Sequence, residues 1–195
     1  HGYVTVTAKQ SVVLSAAAIG TPQILQLSGL GPAGLLKQHG IEPVIDLPGV
    51  GANLQDHLQI RSAFKITGAR TLNKMANSLL GKGLIGLEYM LRRTGPMAMA
   101  PSQLGMFTKS HDRYATANLE YHVQPLSLEA FGGGLDPWPA FTASVCNLRP
   151  ESRGTSLIRS ARADDHPAIR PNYLSAEEDR RALREGVKMM REVAR

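Results

Sequence analysis

The stretch Ser15–Gly31 constrains the fold of this chain more than any other part of the sequence. An apolar run over residues 12–18 predicts a buried strand, and the pattern breaks at Gly20 before it restarts as a helix. Thr21 suits the N-cap of that helix and Pro22 its first position, where no N–H is needed. Such a strand–turn–helix unit directs free amides at one spot and favours a phosphate or another electron-rich group. An ordinary capped connection has the same pattern, so both interpretations stay open.

Further patterns predict where helices begin and end. Gly29 is expected to end the first helix. A second helical stretch runs over Thr71–Arg93 with an interruption near Gly81, and a capping box at Ser175 and Glu178 predicts the start of a last helix. Two apolar stripes at helical spacing are assigned to the core: Leu80, Leu84, Leu87 and Leu91 in the earlier helix, and Leu183, Val187, Met190 and Val193 in the last.

Alternation of apolar and polar residues predicts strands that lie close together in sequence. Such strands favour an antiparallel sheet, and the last helix is expected to cover one of its faces. The predicted strands are Ile60–Ile66, Leu119–Val123, Ala140–Leu148 and Gly154–Ser160.

Four short segments resemble the signatures of the glucose-methanol-choline (GMC) oxidoreductases, which are flavin enzymes that oxidise alcohols. They occur in the family's order and at family-like spacing, and they span nearly the whole chain. The chain is most similar to the choline-dehydrogenase-like branch, and it resembles an internal fragment of such an enzyme. The segments are Ala18–Gln23 with Leu27–Gly31, then Leu47–His57, Leu148–Gly154 and His166–Leu174.

The resemblance implies an α+β fold in which an antiparallel sheet is backed by helices, as in the GMC substrate domain. Residues 1–50 would be a partial FAD-binding-domain segment, a small βα remnant at the N-terminus. Residues 51–195 would be the substrate-binding domain, truncated at its C-terminal helix.

The resemblance also implies a function, namely part of an FAD-dependent enzyme that oxidises a primary alcohol by hydride transfer to the flavin. The family's catalytic His lies beyond Arg195, and we expect no dinucleotide-binding Gly-x-Gly-x-x-Gly loop in the chain. No catalytic residue is therefore assigned, and the fragment alone is expected to be inactive and not to hold FAD. Its expected partners are an alcohol and the remaining FAD-binding and C-terminal segments of the parent protein.

Two sets of site residues follow from the resemblance. The backbone at Ala16, Ala17 and Ala18 is expected near the adenosine end of FAD, although family members usually have glycine where Ala17 stands. Ser102 and Gln103 are assigned to the substrate pocket, at the end of a loop rich in Gly, Pro and Met. Because choline-specific members place a carboxylate at the position of the neutral Gln103, an uncharged alcohol is favoured over choline.

Two histidines carry weaker hypotheses. His57 follows Asp56, but adjacent residues on an extended chain point to opposite sides, so a catalytic dyad is not expected. A zinc site at His57 would need further ligands, and the spacing shows none, so a structural role is favoured, with a cofactor contact as the alternative. His122 shares a strand face with Glu120 and could transfer a proton, although a partly exposed strand histidine is the more common case.

Composition limits the other function classes. The net charge of +6 comes from scattered basic residues, and the aromatic content of 5% provides no stacking platform, so no nucleic-acid partner is expected. No apolar run reaches the ~20 residues of a membrane span. The single cysteine, Cys146, excludes an internal disulfide and favours a cytoplasmic parent, with membrane association left open. The alternatives are a non-enzymatic small-ligand-binding module and an inactive structural homologue.

Overall fold

The chain divides into two units, and each combines two separate stretches of sequence. A computed structural model describes residues 4–100, 102–130 and 132–195. The first unit comprises His1–Asp56 and Ser152–Ser175, and the second comprises His57–Glu151 and Ala176–Arg195. The assignment of residues 1–50 to the FAD-binding domain and of residues 51–195 to the substrate-binding domain stays a prediction.

The described residues form mostly helices in the first half of the chain, then a run of strands, and a last long helix. The helices are α1 (Ala17–Leu27), α2 (Ala33–Gln38), α3 (Leu72–Ala76), α4 (Leu79–Arg92) and α5 (Glu177–Val193), with a short 3-10 turn at Pro96–Ala98. The strands are β1 (Leu30–Gly31), β2 (Ile45–Asp46), β3 (Gln59–Lys65), β4 (Leu104–Thr108), β5 (Leu119–Gln124), β6 (Ala140–Asn147), β7 (Thr155–Leu157) and β8 (Ala168–Arg170).

The predicted buried strand at residues 12–18 is wrong. Residues 4–16 form no strand with any other part of the described chain, and Val12 and Val13 are about four-fifths exposed, at 76% and 83%. An apolar run becomes a buried strand only where neighbouring strands take up its backbone hydrogen bonds, and no described segment does so here.

Helix α1 begins earlier than the sequence predicts. Ala16 is its N-cap residue, and the hydroxyl of Thr21 accepts a hydrogen bond from the Ala16 amide at 3.0 Å instead of capping a later start. Pro22 therefore lies inside the helix, so its predicted place at the first position is wrong. The predicted end is confirmed, because α1 stops at Leu27 and Gly29 takes a positive φ of 82°.

The interior of the first unit is organised around the buried amide of Gln26. Its Nε2 donates to the carbonyl oxygens of Val50 and Ser156 at 3.3 and 3.1 Å, and its Oε1 accepts from the Ile158 amide at 2.8 Å. Gly51 has a φ of 83°, and a Cβ there would lie 2.4 Å from this Nε2, so only glycine fits. Strands β7 and β8 pair with each other in the first unit, so the predicted strand Gly154–Ser160 does not join the larger sheet.

The second unit contains the antiparallel sheet that the sequence predicts. Its strand order is β3-β6-β5-β4, and every neighbouring pair is antiparallel. In this register Cys146 lies opposite Gln59 on one side and Glu120 on the other. The fold class, α+β with an antiparallel sheet backed by a helix, is confirmed.

Helix α5 covers one face of this sheet, as predicted. Leu119, Tyr121 and Val145 are buried against it, and the Tyr121 hydroxyl donates to the Gly186 carbonyl at 2.9 Å. Gly186 permits this close approach, because a Cβ there would lie 2.8 Å from Val145 Cγ2. The predicted capping box is wrong, since the N-cap residue is Ala176 and no side chain caps the helix.

The helical stretch after Thr71 breaks at residues 77–78 rather than at the glycines. The Ser78 hydroxyl caps α4 by accepting from the Gly81 amide at 3.3 Å, whereas Thr71 caps α3. The core assignment of the α4 leucines is wrong, because these side chains are half to three-quarters exposed and Ile85 is the buried one. The main neighbours of α4 are α3 and the 3-10 turn, which are too short to cover the stripe Leu80, Leu84, Leu87 and Leu91.

Candidate functional site

The sheet of the second unit has a polar face on the side opposite α5. Strand β5 alternates, so that Leu119 and Tyr121 enter the core while Glu120, His122 and Gln124 lie on the other face. Residues that pair directly across neighbouring strands have side chains on the same face. The partners of these β5 residues on β6, and the β3 residues paired with those, therefore lie on this face too. This polar face comprises Gln59, Arg61, Glu120, His122, Gln124, Ser144 and Cys146.

His122 and Glu120 form a pair on this polar face. His122 Nε2 is 3.1 Å from Glu120 Oε1, and both side chains are partly exposed. When Nε2 carries a proton and donates it to the carboxylate, Nδ1 is left free to accept another proton. The pair can therefore hold or receive a proton at a partly exposed position, and a proton-transfer role for His122 stays a prediction.

Cys146 lies on the inner strand β6, between Gln59 and Glu120 of the polar face, and is fully buried. Its Sγ lies 3.8 Å from Glu120 Oε2. Burial, and after it the negative charge of Glu120, raise the pKa of the Cys146 thiol to about 11. The thiol is therefore protonated at neutral pH and is not an activated nucleophile.

Asp56 and His57 have different partners, in agreement with the expectation that they form no dyad. In the first unit Asp56 accepts a hydrogen bond from the Tyr173 hydroxyl, and this bond raises the pKa of Tyr173. In the second unit His57 Nε2 lies 3.1 Å from the Leu148 carbonyl oxygen. The hydrogen bond to Leu148 fits the predicted structural role of His57.

His57 also belongs to a side-chain cluster that the sequence did not reveal. One ligand atom each from His57, Glu120 and Cys146 lies within 4.8 Å of the others. These residues are far apart in sequence, and the pairing of β5 with β6 brings two of them together. The sequence shows that all three residue types can bind a metal, but it does not show the strand pairing that brings Glu120 and Cys146 together.

Ser102 and Gln103 immediately precede β4. The Gln103 amide donates to the Val123 carbonyl at 2.9 Å, and its side chain folds back to the Ala100 carbonyl at 2.7 Å. The Ser102 hydroxyl accepts from Gln124 Nε2 at 3.4 Å, at one end of the polar face. The structure thus brings Ser102 to the strand that carries His122, and the substrate-pocket role of both residues stays a prediction.

Ala16, Ala17 and Ala18 are exposed where α1 begins, in the first unit. Ala17 has a φ of 58°, a left-handed conformation that glycine adopts more easily than alanine. The side chains of these three residues are methyl groups, and the Ala16 amide already donates to the Thr21 hydroxyl at 3.0 Å. An exposed backbone with small side chains leaves room for one part of FAD, and the cofactor contact stays a prediction.

The spacing Gly-x-Gly-x-x-Gly occurs twice, at Gly29–Gly34 and Gly81–Gly86, which corrects the expectation that the chain lacks it. Neither occurrence follows a strand as a dinucleotide loop does, because the first contains the two-residue strand β1 itself and leads into the short α2. The second lies within α4. The first follows α1, and the Ala33 amide at the start of the six-residue α2 already donates to the Asp46 carboxylate at 2.9 Å.

Family models match the N-terminal and the C-terminal part of this chain. Family models described as GMC oxidoreductase match residues 1–59, as the N-terminal domain, and residues 150–195, as the C-terminal domain. Together these matches cover more than half of the chain.

Curated relatives match nearly the whole chain. It is 40% identical over 194 residues to an alcohol dehydrogenase [acceptor] of Pseudomonas putida, a match covering 99% of this chain and 35% of that protein. It is 37% identical over 189 residues to an oxygen-dependent choline dehydrogenase of Brucella ovis, covering 97% of this chain and 34% of that protein. The chain spans about a third of the length of these curated relatives.

A solved structure has the same fold. The chain is similar to a formate oxidase of Aspergillus oryzae with a TM-score of 0.78 and 23% identity, over 95% of this chain and 37% of the oxidase. At this identity the likeness shows the fold alone.

Proposed function

Because the chain belongs to the glucose-methanol-choline oxidoreductase family, we propose that it is part of an FAD-dependent enzyme that oxidises a primary alcohol. Curated relatives named for alcohol and choline dehydrogenase activity match it over nearly its full length. The observation in the structure that supports the proposal is the partly exposed His122–Glu120 pair on the polar face, opposite the face that α5 covers.

The residues of this chain would bind and position rather than perform the whole reaction. FAD, when bound, supplies the hydride acceptor. The backbone at Ala16, Ala17 and Ala18 would hold one part of the cofactor. His122, held by Glu120 at 3.1 Å, would hold or receive a proton at Nδ1 on the polar face.

The substrate proposed is an uncharged primary alcohol. Gln103 is neutral, and its side-chain amide already donates to the Ala100 carbonyl, so it offers no charge to a quaternary ammonium group. The Ser102 hydroxyl, which accepts from Gln124, can still donate a hydrogen bond to a neutral hydroxyl group.

Flavin reduction by a set of substrates tests this substrate class. In the whole polypeptide that carries this chain, we expect uncharged primary alcohols to reduce the flavin faster than choline does under anaerobic conditions. Gln103→Glu should shift the preference toward choline, whereas Gln38→Glu, on an exposed position of α2, should not. Faster reduction by choline in the unaltered protein would contradict the proposed substrate class.

We expect the 195-residue chain alone to show no turnover, because the resemblance to the family implies that the catalytic His lies outside it. A non-enzymatic binding module is the alternative. It is favoured by an apolar cavity of about 410 Å³ in the second unit, between the core face of the sheet and the end of α5. Alcohol oxidation by the isolated chain with added FAD would contradict the expected inactivity.

No helix among the described residues is both long enough and apolar enough to cross a membrane. The cytoplasmic location of the parent protein stays part of the proposal.

A further inference from the structure

Three different metal-ligating groups meet on the polar face of the sheet. His57, Glu120 and Cys146 each contribute one ligand atom, and these atoms lie within 4.8 Å of one another. Ligands bound to one ion at ordinary Zn–N, Zn–O and Zn–S distances of about 2.0–2.3 Å lie no farther apart than about 4 Å. The three groups therefore need to move little to share an ion.

Hydrogen bonds already orient two of the three ligands. Glu120 Oε1 lies 3.1 Å from His122 Nε2, and the other carboxylate oxygen, Oε2, faces the sulfur of Cys146 at 3.8 Å. His57 Nε2 lies 3.1 Å from the Leu148 carbonyl oxygen and donates to it, which leaves the lone pair of Nδ1 for an ion in the site inferred below. A metal-binding histidine typically donates its second nitrogen to a carbonyl or carboxylate in this way.

Two of the three ligands lie on paired strands, and His57 lies two residues before β3. Glu120 and Cys146 face each other across the ladder between β5 and β6, and β6 is an inner strand of the sheet. Cys146 is fully buried, whereas His57 is exposed, so an ion could enter from the His57 side. A site built on paired strands holds its ligands more precisely than one built on loops.

We infer that His57, Glu120 and Cys146 form a binding site for a divalent zinc ion on the polar face of the sheet. Imidazole, carboxylate and thiolate are all ligands that Zn²⁺ accepts, and the thiolate disfavours Mg²⁺ and Ca²⁺. Three protein ligands leave a fourth position for water. The inference does not depend on the oxidoreductase proposal.

Binding requires one proton to leave. The Cys146 thiol releases its proton to the solvent as its sulfur bonds to the ion, and no oxidant or reductant takes part. His57 binds as the neutral ring and Glu120 as the carboxylate. His122 remains hydrogen-bonded to Glu120 and positions it without touching the ion.

Titration with Co²⁺, which reports on zinc sites through its absorption spectrum, tests the inference on the 195-residue chain. We expect one ion per chain and a thiolate-to-cobalt charge-transfer band in the near ultraviolet, which Zn²⁺ abolishes by displacement. Because Cys146 is the only cysteine, such a band can come from no other sulfur. Circular dichroism confirms that each sample is folded.

Two variants and a control decide the outcome. Cys146→Ser should abolish the charge-transfer band, and His57→Gln should weaken binding by at least about tenfold. His57 is exposed, so its replacement is compatible with folding. His166→Gln, at another exposed histidine, should leave the titration unchanged. A folded chain without the band, or equal binding by His57→Gln and the unaltered chain, would overturn the inference.

Discussion

Cys146 links the stability of the second unit to pH. Burial and the Glu120 carboxylate raise the pKa of its thiol from 9.0 to about 11. The unfolded chain therefore releases this proton at a lower pH than the folded chain does. The contribution to stability is complete below about pH 9 and is lost as the pH rises through the folded value.

We expect the free energy of unfolding to fall between about pH 9 and pH 11, and Cys146→Ser to make this fall shallower because serine does not ionise there. Urea denaturation at a series of pH values measures the effect. Tyr121, whose pKa is raised to about 12 by burial, adds its own fall at higher pH in both proteins. Parallel curves for the variant and the unaltered chain would show that Cys146 does not contribute.

Two single residues show why part of the structure could not be predicted from the sequence. Gln26 reads as one polar residue in a helix, and its three backbone partners come from positions 50, 156 and 158. Ala17 reads as part of an apolar strand, but it takes a left-handed φ of 58° at the start of α1. Both outcomes depend on tertiary neighbours that no local pattern contains.

Among the elements, the two longest helices differ in the role of their glycines. A Cβ at Gly186 of α5 would lie 2.8 Å from Val145 Cγ2 and 3.3 Å from Leu119 Cδ1. A Cβ at Gly83 of α4 would meet nothing within 4 Å. The same substitution should therefore have opposite effects in the two helices.

Gly186→Ala is expected to destabilise the second unit by about 1–3 kcal/mol, because α5 must move away from the sheet. Gly83→Ala should instead stabilise the chain by up to about 1 kcal/mol through helix propensity alone. Urea denaturation of the two variants measures both changes. If Gly186→Ala were as stable as Gly83→Ala, the close packing of α5 on the sheet would be contradicted.

The elements with strong periodicity were predictable from the sequence. Strands β3, β5 and β6 and helix α5 form close to their predicted positions, since one of their faces is buried in a shared core. The exposed stripe on α4 has the same spacing as the stripe on α5, in which Leu183 and Met190 are buried and Val187 is partly buried. The core assignment of Val193 is wrong, because its side chain is 72% exposed near the end of α5. Periodicity identifies the helix, but whether its apolar face is covered depends on what packs against it.

Over the whole molecule, the sequence motifs indicated the family and the fold class, and the register of the sheet created the candidate site. Glu120 and Cys146 are 26 residues apart and meet because β5 pairs with β6. His57 joins them from the segment before β3. A zinc site was not expected from the sequence, because metal-ligand spacing along the chain cannot show contacts made across strands.

The central claim, that this chain belongs to a flavin-dependent alcohol oxidoreductase, is tested most directly by the visible spectrum of the whole polypeptide that carries it. The spectrum is recorded before and after anaerobic addition of a primary alcohol. The account predicts a flavin band in the purified protein that bleaches when the alcohol is added. A folded protein that purifies without flavin and takes none up from solution would contradict it.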